Sequence, residues 1–178
     1  MREMTKAKEI SLCAMMIAVA LALSFAERFI PLQWILPLPG FKLGLANVVT
    51  LVALCLFKKK YVLAVLVIRC LLGSAFGGGV TTLAFSVCGG LLALGTMLIA
   101  AKTNCFSIYG ISVLGAAAHN VGQILAAMAL MKSVYIGAYL PYLLLVGVAT
   151  GLMTGAVCAG ILRVLPKAVY VNPEESIP

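Results

Sequence analysis

Apolar residues run through this chain in long blocks, each closed by a short cluster of charged, glycine or proline positions. The blocks cover residues 10–26, 43–57, 61–76, 81–100, 111–131 and 139–165. Lys58-Lys59-Lys60 stops the second, and Gly77-Gly78-Gly79 ends the third, where consecutive glycines break a helix and permit a tight turn. A polar link, 102–107, follows the fourth, and Pro166 with a polar tail from Asn172 follows the sixth. Crossing about 30 Å of hydrocarbon takes about 20 apolar residues in a helix. Six such blocks in 178 residues leave short loops and no room for a soluble domain. The pattern predicts an all-α integral membrane protein, a six-transmembrane-helix bundle forming one membrane domain over 1–178. The segment 27–42 is predicted to be an outer loop; Pro31, Pro37, Pro39 and Trp34 make it stiff, apolar and suited to the interface.

Composition strengthens this reading. Hydrophobic residues make up 63% and charged residues 10%, with a mean hydropathy of +1.15, whereas a soluble domain is about 45–50% apolar and about 25% charged. The net charge of +8 would suggest nucleic acid in a soluble protein, but here the basic residues stand at the ends of apolar blocks. With the N-terminus in the cytoplasm, nine cations fall inside (Arg2, Lys6, Lys8, Lys58, Lys59, Lys60, Lys102, Arg163, Lys167) against three outside (Arg28, Lys42, Lys132). By the positive-inside rule both termini are cytoplasmic in a bacterial cell membrane. Residues 1–26 also imitate a signal peptide with a small-x-small site at Ser24-Phe25-Ala26, yet the five later blocks make an uncleaved first span the simpler expectation.

The sequence contains no aspartate and five glutamates: Glu3, Glu9, Glu27, Glu174 and Glu175. Paired-carboxylate catalysis and carboxylate-bound Mg²⁺ thus lack their parts. The six cysteines have no C-x-x-C spacing, and all but Cys105 fall within apolar blocks, where they read as small buried hydrophobes. No metal site and no catalytic residue is expected, and nothing resembles a P-loop. The chain reads as a binding or transport subunit, not an enzyme.

Polar residues at membrane depth carry the functional signal, because a cation at a helix centre costs about 2.5–3.5 kcal/mol on insertion scales. Arg69 lies within the third block, and neither that block nor any later one holds an acidic residue. Its counter-charge is expected from a bound anion, the alternative being a snorkelling side chain. His119 and Gln123 stand at i and i+4 on one face of the fifth block with Asn120 beside them; they either join helices by hydrogen bonds or bind a ligand. At the start of the second block, Lys42 and Asn47 flank glycines that allow close backbone approach. Free amides at a helix N-terminus, with an ammonium, favour an anionic group; as an interfacial anchor Lys42 needs no ligand. Ala14, Ala18 and Ala22 recur every fourth residue in the first block, and Gly147, Gly151 and Gly155 in the last. The first strip serves either internal packing or an external partner, and the second is expected to pack internally.

Two motifs, Gly40-Phe41-Lys42-Leu43-Gly44-Leu45-Ala46-Asn47 and Ala118-His119-Asn120-Val121-Gly122-Gln123, resemble those of the Gx transporter family, also known as heptaprenyl diphosphate synthase component I. The resemblance covers about residues 10–165. That family is similar to the substrate-binding S-components of energy-coupling factor transporters, six-helix proteins that bind vitamins on the outer side and dock on a transmembrane coupling subunit through first-helix alanines. The resemblance implies docking through Ala14, Ala18 and Ala22, with ATP hydrolysis left to partner ATPases. Some members are linked to flavin trafficking with Rnf-type redox complexes, which implies riboflavin, FMN or FAD as bound substrate. In that reading Lys42, Arg69 and His119 meet the phosphate, Asn47, Asn120 and Gln123 address the ring or ribityl edge, Phe41 or Trp34 stacks, and the proline-rich loop acts as a lid. Competing expectations are an assembly or accessory subunit of a membrane redox complex, and an accessory subunit of an isoprenyl diphosphate synthase.

Overall fold

In the computed structural model the described residues are 6–29, 42, 44–76 and 79–165. The expected lid residues, Phe41 and Trp34 among them, lie outside that set. Among these described residues there are six α-helices: α1 (Lys6–Ala26), α2 (Asn47–Leu56), α3 (Lys59–Ala75), α4 (Gly79–Lys102), α5 (Ile108–Met131) and α6 (Leu140–Val164), with short 3₁₀ turns at Glu27–Phe29 and Val134–Tyr139. Ser107 caps α5 by accepting the Gly110 N–H. Lys132 ends that helix in the left-handed region, and a proline in the first turn opens α6.

Among the described residues, four segments are long and apolar enough to cross a membrane: Ala7–Ala26, Gly79–Lys102, Ile108–Met131 and Val134–Val164. Their outward faces are apolar; Leu145 is 72% and Met153 63% exposed, a surface suited to lipid rather than water. Of the other two helices, α3 matches its block in length and α2 is shorter than the block that encodes it. α3 has 17 residues, and α2 has ten, about 15 Å at 1.5 Å per residue, half of a hydrocarbon core. α2 starts later than the apolar block because Gly44, at φ +82°, turns the chain. The first helical bonds then close tightly, Asn47 N–H to the Gly44 carbonyl at 2.8 Å and Val48 N–H to that of Leu45 at 3.1 Å.

The short helix is the centre of the bundle. It touches each of the other five helices, and of its residues only Leu54 is not fully buried. Around it α4 and α5 pack along their length, α5 and α6 do likewise, and α1 lies on α3. In lipid such helices associate through close packing, which small residues permit. A Cβ on Gly151 would lie 2.6 Å from Val113 Cα, and one on Gly122 would lie 2.6 Å from the Cys88 carbonyl oxygen. The glycine strip of α6 is therefore an internal seam against α5, as expected. The alanine strip of α1 is not internal: Ala14, Ala18 and Ala22 are exposed, while Ala20 is buried and Cys13, Met16 and Ile17 pack inward with it.

Because the atoms facing Gly122 are backbone, they cannot rotate away. Gly122→Ala is expected to lower stability by about 1–3 kcal/mol through overpacking, read as a fall in the thermal unfolding midpoint. Gly160→Ala is the control: nothing lies within 4 Å of its added methyl, and alanine in a helix interior is worth about 1 kcal/mol over glycine.

Candidate functional site

Two of the apolar clusters among the described residues bracket the polar residues of α5. One contains Leu51, Leu56, Leu66, Met97 and Ile111, the other Phe85, Ile124, Ala127, Ile136 and Leu143. On α5 the polar residues His119, Asn120 and Gln123 stand between Ile111 of the first and Ile124 of the second, at the midpoint of this 24-residue helix. The segment before α2 descends to that level, since a Cβ on Gly44 would lie 3.0 Å from His119 Cδ2. Non-helical backbone at such depth is tolerated where protein or a cavity covers it; Gly44 and Ala46 are buried.

Two side chains hold this segment. Gln123 Oε1 accepts the Lys42 N–H at 3.3 Å, and Glu27 Oε1 accepts the Gly44 N–H at 2.6 Å. With its oxygen so engaged, Gln123 presents its NH₂ to His119 Nε2 at 2.6 Å. The imidazole thus accepts at Nε2 and carries its proton at Nδ1, on the side facing Gly89. On α2, Asn47 Oδ1 accepts from Arg69 Nη2 at 3.2 Å. Arg69 is 7% and His119 4% exposed.

Several buried polar atoms of this cluster have no hydrogen-bond partner among the described residues: Glu27 Oε2, Asn47 Nδ2, Arg69 Nε and His119 Nδ1. Each unsatisfied group costs about 1–3 kcal/mol, more when charged, and such groups gather at functional sites. Glu27, Lys42, Arg69 and His119 line one small cavity with Ser24, Gly44, Ala46, Cys70 and Ser86. Its volume is about 20 Å³, room for one or two waters, whereas drug-sized ligands occupy about 300–1,000 Å³. A tricyclic ring would enter only with movement of the residues around Lys42–Ala46.

The structure brings together Lys42, Asn47, Arg69, His119 and Gln123 and directs Asn120 elsewhere. Arg69 does have an acidic neighbour within the protein: Glu27 is 3% exposed and interacts through space with both Arg69 and Lys42. It escaped the sequence reading because it follows the first apolar block and reads as an exposed loop residue; a lone glutamate at the very edge of an apolar block was its only signal. Burial pushes the Glu27 carboxyl up from the usual range, opposed by the Gly44 N–H and the nearby cations. His119 is engaged at Nε2 by Gln123, whose side-chain oxygen accepts the Lys42 N–H. Asn120 turns away from the cluster and donates to the Leu143 carbonyl at 2.7 Å, joining α5 to α6. Its neighbour Gly147 leaves room for it; a Cβ there would lie 2.7 Å from Asn120 Nδ2.

The family model of heptaprenyl diphosphate synthase component I matches residues 16–161. The chain belongs to this family. No curated protein matches it, and no solved structure does. The match to heptaprenyl diphosphate synthase component I spans α1 to α6 and contains every described residue of the polar cluster.

Proposed function

We propose that the chain is the solute-binding subunit of a membrane transporter of the energy-coupling-factor type. Its six helices cross the cytoplasmic membrane with both termini inside, and the solute is an organic anion, with flavins, FMN above all, as the leading candidates. One observation carries the reading. Arg69 and Lys42 line one cavity with Glu27, and a buried cation such as Arg69 at membrane depth commonly marks a binding site for an anion. The unpartnered Arg69 Nε supplies a donor for the anion that balances it. The exposed strip Ala14, Ala18, Ala22 on α1 supports docking on a coupling subunit, since small residues let another helix approach closely.

A second reading is favoured by the family's name. A polyprenyl diphosphate also brings an anionic head and an apolar body, and an accessory subunit of an isoprenyl diphosphate synthase would hold it at the same cations. The chain has no aspartate, so the aspartate-rich Mg²⁺-diphosphate site of such a synthase would belong to a partner. The test is a fluorescence titration of the detergent-purified protein with riboflavin, FMN and FAD, using quenching of its single tryptophan. Saturable binding of FMN over riboflavin is the expected result. Displacement of FMN by low concentrations of a prenyl diphosphate would favour the second reading, and no binding of either class would move the role to assembly of a membrane complex.

A further inference from the structure

The donors that would receive a ligand's anionic group already hold one. Glu27 Oε1 accepts the Gly44 N–H at 2.6 Å, the Leu45 amide is its next backbone donor, and Lys42 and Arg69 act on it from either side. Asn47, where α2 begins, follows directly. This is the arrangement by which helix N-termini bind phosphate or carboxylate, filled here by a side chain of the same protein. The fit is incomplete. Among the described residues Glu27 Oε2 makes no hydrogen bond, and neither does Arg69 Nε, although both residues line one cavity and are more than nine-tenths buried.

We propose that Glu27 is an internal anion that competes with the ligand's anionic group for the amides before α2 and for Lys42 and Arg69, so that binding requires Glu27 to be displaced or protonated. The proposal rests on reading the cluster as an anion site. Charge accounting gives its direction. Neutralising Glu27 makes the seat more positive by one charge, the direction that favours a phosphate monoester at about −1.5 to −2. The charged and titratable groups that face Glu27 are Lys42 from the segment before α2, Arg69 and the Cys70 thiol from α3, and His119 from α5. A like charge forced beside the ligand in a low-dielectric setting costs several kcal/mol. The affinity of the wild type for a phosphate anion therefore rises as pH falls through the Glu27 titration, whereas Glu27→Gln, which keeps an acceptor for Gly44 and loses the charge, has no such step.

The experiment compares the full chain with Glu27→Gln in detergent between pH 5.5 and 8, using FMN and inorganic pyrophosphate as probes, with binding and thermal unfolding as readouts. Expected at pH 8 is binding to Glu27→Gln about tenfold tighter or more, a ratio that shrinks toward one as pH falls. Without a probe the variant should unfold at a lower temperature than the wild type, because the buried Arg69 and the half-buried Lys42 lose a neighbouring carboxylate, and pyrophosphate should restore it. Equal affinity of both proteins at every pH would overturn the competition and leave the solute-binding reading standing. Tenfold discrimination with pyrophosphate but no FMN binding would uphold the competition and remove the flavin. No effect of either probe on either protein would overturn both. Should Glu27→Gln fail to fold, Glu27→Asp withdraws the carboxylate by one methylene, with a smaller gain of the same sign expected and no gain overturning the proposal.

Discussion

Replacing Arg69 with alanine is expected to abolish FMN binding and to destabilise the protein by about 1–3 kcal/mol, since Asn47 loses a buried hydrogen-bond partner and Glu27 loses one of its two neighbouring cations. Both effects follow from its position: it is 7% exposed, donates to Asn47 and faces Glu27 across the cavity. They are separable. In the double variant Arg69→Met with Glu27→Gln both charges are gone, so much of the stability should return while binding does not. Arg69→Lys keeps the charge but not the planar fork that reaches Asn47 and the cavity together, and should bind with intermediate affinity. Thermal unfolding and flavin titration on the same samples decide the matter. If Arg69→Ala still bound FMN as the wild type does, the cluster would not be the site.

Gly44→Ala should have the next largest effect. Its φ of +82° costs an L-residue about 1–2 kcal/mol. Its added methyl would also stand 3.0 Å from both Asn47 Nδ2 and His119 Cδ2, overpacking worth a further 1–3 kcal/mol or so. Relief by rotating the peptide would turn the Gly44 N–H away from Glu27. The expected result is therefore a lower unfolding temperature together with weakened binding, in contrast to Gly122→Ala, which strains the α4–α5 contact away from the cations and should lower stability with a smaller effect on affinity.

The helical blocks were legible because apolar runs of bilayer length have few other uses, and α1, α4, α5 and α6 meet that length. α2 was misjudged in extent for a local reason: Leu43 and Leu45 continue its apolar run, so hydropathy alone extends the helix, whereas Gly44 ends it. Within the site, Arg69, His119 and Gln123 were legible as polar residues in apolar surroundings. Their partners were not. Glu27 meets Gly44 seventeen residues on, and Gln123 meets Lys42 across 81 residues; no periodicity within one block encodes such pairings. Asn120 shows the same limit, since adjacency to His119 in sequence says nothing of which neighbouring helix it will face.

The brevity of α2 bears on how the protein is made. A segment of ten helical residues is half of what insertion machinery recognises as a span, and its contacts with α5 and α6 do not exist until those helices have been synthesised. The second helix is therefore expected to settle against α5 and α6 only after they have been made. Asn47 and the amides before it reach the cations and His119 only in that final step, so a chain truncated before α5 should insert its first helix yet never assemble the polar cluster.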